Sequence, residues 1–127
     1  MEMIIEFPGG EKVDAHFDGF TVATDQEGSA PTPFEIFLSS IGTCAGIYVL
    51  GFCKQSNLPT EGIRIVERIH PNHTGMIEKI ELEIQAPSSF PKQYHSALIR
   101  SAELCKVKKT LEHPPQFEIV TREVAVI

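Results

Sequence analysis

The sequence predicts an α+β fold, with strands and helices in successive blocks of one domain spanning residues 1–127. Three observations carry this. The first 25 residues hold short apolar segments of period 2, separated by turn residues. A stretch beginning at Thr32 then runs without a charge between Glu35 and Lys54, which is helix length rather than strand length. Beyond it, a second strand pair precedes an amphipathic helical pattern and a last apolar segment, so the order reads β-β-β-α-β-β-α-α-β.

In order, Met3–Phe7 is strand-like and Pro8-Gly9-Gly10-Glu11 is a turn. Lys12–Phe17 alternates, with Val13, Ala15 and Phe17 on one face. Asp18-Gly19 is the dipeptide of a two-residue hairpin, and Phe20–Thr24 returns to close a three-stranded meander. After a loop over Gln26–Ala30, Thr32 is placed to be an N-cap, Pro33 suits the first helical position, and Glu35 completes a capping box. The apolar stripe 34, 38, 41, 45, 48, 52 is widened nearly all round by 36, 37, 47 and 50. Such a rod, about 37 Å long at 1.5 Å per residue, outruns a domain whose radius of gyration is about 14 Å. A dimer whose two long helices share a core is therefore expected.

Leu58-Pro59 ends this helix, and Gly62–Ala86 reads as two strands around Pro71–Gly75. In the second strand Ile80, Leu82, Ile84 and Ala86 face inward, while Glu81, Glu83 and Gln85 face outward. Pro87-Ser88-Ser89 is expected to cap a second helix with the stripe Tyr94, Leu98, Ala102, Cys105. Lys106–Glu112 adds helical turns stopped by His113-Pro114-Pro115, and Phe117–Ile127 is expected to form a closing strand.

A net charge of −6 argues against nucleic acid or an anionic membrane as partner. The uncharged run Ile36–Cys53 has membrane-spanning length, but Ser39, Ser40, Gly42, Thr43, Gly46 and Gly51 dilute it and no aromatic or basic anchors bracket it. No secretory pattern opens the chain, and an odd number of cysteines fits a reducing cytoplasm better than a disulfide framework. His70 and His73 fall short of a ligand set, and no phosphate-binding, dinucleotide-binding or nucleophile-elbow motif occurs, so no metal or cofactor is expected.

The cysteines carry what chemistry there is. An isolated cysteine in an apolar helix is usually packing. Cys44, however, is flanked by Gly42-Thr43 and Ala45-Gly46, which leave room at the sulfur. Cys105, on the inward stripe of the second helix, is available as its partner: a peroxide-oxidised thiol is resolved to a disulfide by a second thiol nearby. Cys53 lies about 180° around the helix from Cys44 and reads as packing.

The segment Pro33-Phe34-Glu35-Ile36-Phe37-Leu38 leading to Cys44, with Cys105-Lys106-Val107-Lys108-Lys109-Thr110-Leu111 downstream, resembles the OsmC/Ohr family, the osmotically inducible and organic hydroperoxide resistance proteins. The resemblance covers roughly residues 30–127 well and implies an OsmC-like intertwined homodimer, with two long central helices between sheets. It further implies a thiol peroxidase acting on organic hydroperoxides: Cys44 attacks, Cys105 resolves, and a dithiol such as a lipoyl group restores the pair. Active members carry an N-terminal arginine oriented by a glutamate at the helix start. This chain has no arginine before Arg64, and Lys12 is its only cation before Lys54 apart from a charged His16. Lys12 or His16, from the same or the other subunit, would then supply the positive potential, and Glu35 either orients it or merely caps the helix. Phe37, Ile41 and Tyr48 would line an apolar substrate pocket. The alternative is a non-catalytic stress or apolar-ligand-binding module on the same scaffold, lacking the activating arginine.

Overall fold

The computed structural model describes residues 1–125. Strands β1 (Ile4–Gly9), β2 (Lys12–Phe17) and β3 (Phe20–Asp25) form an antiparallel sheet in the order β1-β2-β3. The hairpin turn between β2 and β3 places Asp18 at φ 48° and Gly19 at φ 80°, the pair of positive angles that a two-residue turn matching the strand twist demands. Helix α1 (Pro33–Gln55) follows, then an antiparallel pair, β4 (Arg64–Pro71) and β5 (Ile77–Gln85). A 3-10 turn over Lys92–Tyr94 leads into α2 (His95–Ala102), and α3 (Lys106–Glu112) completes the order.

The start of α1 is built as its sequence requires. The Glu35 N–H donates to Thr32 Oγ1 at 3.2 Å, and the Thr32 N–H donates to Glu35 Oε1 at 2.9 Å, a reciprocal cap with Pro33 in the first turn. At the other end Asn57 adopts φ 53°, and the Leu58 N–H reaches back to the Cys53 carbonyl at 2.8 Å. That left-handed turn at an asparagine, not Pro59, breaks the helix.

The core forms where α1 meets α2 and the second sheet. Val49, Cys53, Phe90 and Leu98 are buried there, with Phe52, Ile63, Ile84 and Tyr94 packed around them. Emptying the Leu98 position would cost about 2–5 kcal/mol, the range for a Leu→Ala change in a packed core. Glu81 and Glu83 point away from the helices and pair with Arg68 and His70, so the predicted faces of β5 hold. The first sheet makes few contacts beyond itself, and every residue of β1 is exposed. Helix α1 is long and apolar enough to cross a membrane, with a mean hydropathy of 1.8, and only 22% of that window is buried within the chain.

Three further expectations are corrected. Cys105 does not lie on the stripe of α2, which ends at Ala102; it is the N-cap of α3. Nor does Pro87-Ser88-Ser89 cap that helix, because the chain first turns to bury Phe90. The closing strand over Phe117–Ile127 is not formed within residues 117–125, and its last two residues lie outside the described ones. Its strand pattern is real, but a strand needs a sheet edge, and Phe117, Ile119, Val120 and Val124 are all exposed here.

Candidate active site

Cys44 sits in the middle of α1, half-buried and reduced, on the side that α2 and α3 approach. The break between α2 and α3 brings Cys105 to it. As the N-cap of α3, Cys105 has extended angles (φ −47°, ψ 122°), and its sulfur accepts the Lys108 N–H at 3.4 Å. The Cys105 Sγ also lies 3.9 Å from the Ile41 carbonyl oxygen, three residues before Cys44, and is almost fully buried. The two thiols are near enough that each influences the other's ionisation.

A helix begins with N–H groups that have no partner inside it. In α3 the Lys108 N–H goes to the capping sulfur, while those of Val107 and Lys106 act on Cys44 by favouring its thiolate. The Val107 N–H is the main influence holding the Cys44 thiol below its ordinary value; the Cys105 thiol and the Lys106 N–H and charge add to it, against the opposing effect of burial. Cys105 moves the other way, raised first by burial and then by Cys44 beside it, although the Lys108 N–H acts against this. Cys53, buried among apolar side chains with no such donor, is raised by burial alone. One thiol of the pair is thus accessible and disposed to ionise, while its neighbour is buried and disposed to keep its proton. That division suits an attacking and a resolving cysteine.

The remaining candidates are not brought to Cys44 within the chain. Glu35 is exposed and occupied in the helix cap, nine residues or about 13.5 Å along the axis from Cys44. Lys12 pairs across the first sheet with Asp25, whose carboxyl it helps keep below the usual range after the Ser29 and Glu27 hydrogen bonds. His16 faces Glu6 at 3.6 Å and Thr21 at 2.9 Å. Of the expected pocket residues, Ile41 lines an apolar cavity of about 400 Å³ with Leu82, Ile84 and Leu111, while Phe37 and Tyr48 do not. Among the described residues no cluster of three or more His, Cys, Asp or Glu gathers that would hold a metal ion.

Sequence reasoning missed the donors on α3, because backbone N–H groups leave no residue signature. It also passed over Glu67. On β4 this acid occupies the parity of Ile63, Ile65 and Ile69, where period 2 calls for an apolar residue, and that break was the available signal.

An α+β chain whose long central helix has a mid-helix thiol met by another thiol at a helix junction defines a class of small dithiol proteins. Residues 26–120 match the model of the OsmC-like protein family, and the chain belongs to that family. A protein of Aquifex aeolicus VF5 has a similar structure, with a TM-score of 0.68 at 20% identity, covering 89% of this chain and 87% of that one. An OsmC-like protein of unknown function from Vibrio cholerae gives 0.59 at 13% identity, covering 87% and 92%. The organic hydroperoxide resistance protein OhrB of Bacillus subtilis gives 0.54 at 15% identity, covering 87% and 90%. Comparison with curated proteins finds no match.

Proposed function

We propose that this protein is a thiol-dependent peroxidase that reduces organic hydroperoxides through a Cys44/Cys105 cycle. The observation that carries the reading is the asymmetric thiol pair, with Cys44 lowered by the α3 N–H groups and Cys105 raised beside it. The Cys44 thiolate attacks the outer oxygen of ROOH. The O–O bond breaks, ROH leaves with a proton, and Cys44 becomes a sulfenic acid. The Cys105 sulfur then attacks the Cys44 sulfur; water leaves and a disulfide forms. A dithiol reductant of lipoyl type returns both thiols by exchange and is itself oxidised to its disulfide. In this scheme the first turn of α3 does the work expected of an arginine, because N–H dipoles stabilise a thiolate as a cation does. The apolar cavity beside Ile41 favours a hydroperoxide with an organic tail.

The working form in this reading is a homodimer in a reducing cytoplasm, without nucleic acid or membrane as partner. Three sets of uncovered apolar side chains support the dimer: the first sheet, the segment Phe117–Val124, and Phe34 and Ile47 on α1. A strand without a sheet edge and a sheet without a covering layer are complementary needs. Light scattering on the purified protein is expected to give twice the chain mass of 14.1 kDa; a monomer would remove this part of the proposal.

The activity is tested by adding cumene hydroperoxide to the reduced protein. Two thiols should be lost per chain, with Cys44 and Cys105 recovered as one disulfide, and none lost from Cys44→Ser. Equal loss in that variant sinks the reading. The alternative, a non-catalytic apolar-ligand module, draws on the absence of any side-chain cation other than Lys106 among the influences on Cys44. It requires ordinary, slow alkylation of Cys44, whereas the peroxidase reading requires fast alkylation.

A further inference from the structure

A thiolate that reduces a hydroperoxide drives out an alkoxide, which is a poor leaving group unless it is protonated. The Cys44 thiolate has no proton to give. The donor must stand beside Cys44, keep its proton while Cys44 is charged, and release it once Cys44 is neutral.

The place of Cys105 in the fold meets these demands. Its S–H donates to the Ile41 carbonyl at 3.9 Å, so its hydrogen is directed at the turn of α1 just before Cys44. The Ile41 side chain lines the apolar cavity that receives the organic tail in the proposed reaction. The residue is 1% exposed, so bulk water does not take its place. As the N-cap of α3 the sulfur also accepts the Lys108 N–H at 3.4 Å, a bond that favours it as an anion. Burial and the neighbouring Cys44 keep the proton on, against the Lys108 and Val107 N–H groups. When Cys44 becomes a neutral sulfenic acid, its charge no longer opposes ionisation and the N–H groups remain. Lys106 and Lys108 also stand close by, but both are exposed, and their ammonium groups stay hydrated.

We propose that Cys105 acts twice: it protonates the departing alkoxide and then, as the thiolate this leaves, closes the disulfide. The inference rests on the peroxidase reading and adds the order of proton movement. Cys44 takes the outer oxygen of ROOH with its hydrogen, the O–O bond breaks, and the Cys105 proton passes to the inner oxygen, releasing ROH. The Cys105 thiolate attacks the Cys44 sulfur and the S–O bond breaks. Hydroxide departs and is neutralised by the proton that Cys44 shed on ionising. Cys105 thus becomes a nucleophile only after peroxide has reacted.

The test compares two leaving groups on one nucleophile in the full-length reduced protein. Iodide leaves iodoacetamide without a proton, whereas the alkoxide of cumene hydroperoxide needs one. Rapid quench measures Cys44 alkylation and the first burst of 2-phenyl-2-propanol. Cys105→Ser retains a capping oxygen for α3 but is a far weaker acid. It should slow alkylation about threefold, through its influence on Cys44 ionisation, and alcohol release about a hundredfold. Equal slowing of both reactions would overturn the proposal. Selective loss of alcohol release in Lys106→Met or Lys108→Met, with Cys105→Ser unaffected, would make a lysine the donor and overturn it too. A reading without any variant is the wild type in D2O, where alcohol release should slow more than alkylation; equal slowing counts against the proposal. Normal alkylation with no alcohol formed by the wild type would instead remove the peroxidase reading itself.

Discussion

Cys44 and Cys53 lie nine residues apart on the same helix, yet their surroundings push their chemistry in opposite directions. Around Cys53 the chain supplies only carbon: Val49, Phe90 and Leu98, with burial raising the thiol. Around Cys44 it supplies the open end of another helix, and the thiol is lowered despite partial burial. Depth alone does not decide how a cysteine behaves. What decides it is whether backbone N–H groups without partners of their own reach the sulfur.

The comparison is broken most severely by removing one sulfur at a time. Cys44→Ser should abolish hydroperoxide-dependent thiol loss, while Cys53→Ser should leave the rate of that loss unchanged in whatever fraction remains folded. Stopped-flow thiol counting checks both. In the intact protein, iodoacetamide is expected to modify Cys44 roughly a hundredfold faster than Cys53, since Cys53 reacts only through local opening. Comparable rates at the two sites would erase the contrast.

A smaller effect tests its cause. Lys106 is the first residue of α3, where proline is tolerated, and Cys105 before it already has the extended angles that a following proline imposes. Lys106→Pro therefore deletes one donor and one charge facing Cys44 while sparing the helix. The thiolate fraction near neutral pH should fall about threefold to tenfold, and the gain in intrinsic nucleophilicity returns part of this. The net alkylation rate is expected to drop about twofold to threefold, with its pH profile displaced upward. An unmoved profile would show that the donors do not govern Cys44.

Much of this arrangement was legible in the sequence, for reasons that particular residues make clear. The cap at Thr32, Pro33 and Glu35 and the turn at Asp18-Gly19 are local: their partners lie within a few positions, so spacing suffices. The β5 faces were readable because period 2 is strict. Cys105 was assigned to the wrong element because a stripe continues smoothly across a helix break when the breaking residues, Glu103 and Leu104, are themselves helix-compatible. The segment from Phe117 onward carried a strand pattern whose edge the chain itself does not provide. Within the chain Lys12 and His16, the cations expected for Cys44, are held in the first sheet by Asp25, Glu6 and Thr21.

The gentlest perturbation is Cys53→Ala. It leaves the environment of Cys44 intact, so alkylation of Cys44 should not change. The sulfur it removes belongs to the core, and the void should cost about 1–2 kcal/mol of stability in urea unfolding at neutral pH. The pH dependence gives this its second reading. A thiol raised in the folded state contributes stability that is fully present below the unfolded value of about 8.5 and is lost as pH rises through its folded value. Cys44, lowered in the folded state, contributes stability present above about 8.5 and lost as pH falls through its folded value. Cys53→Ala removes only the first of these, so the gap between wild type and variant should narrow as the pH is taken above about 8.5. A constant gap across that range would mean that Cys53 ionises as readily inside the core as outside it, and the contrast between the two thiols of α1 would be one of packing alone.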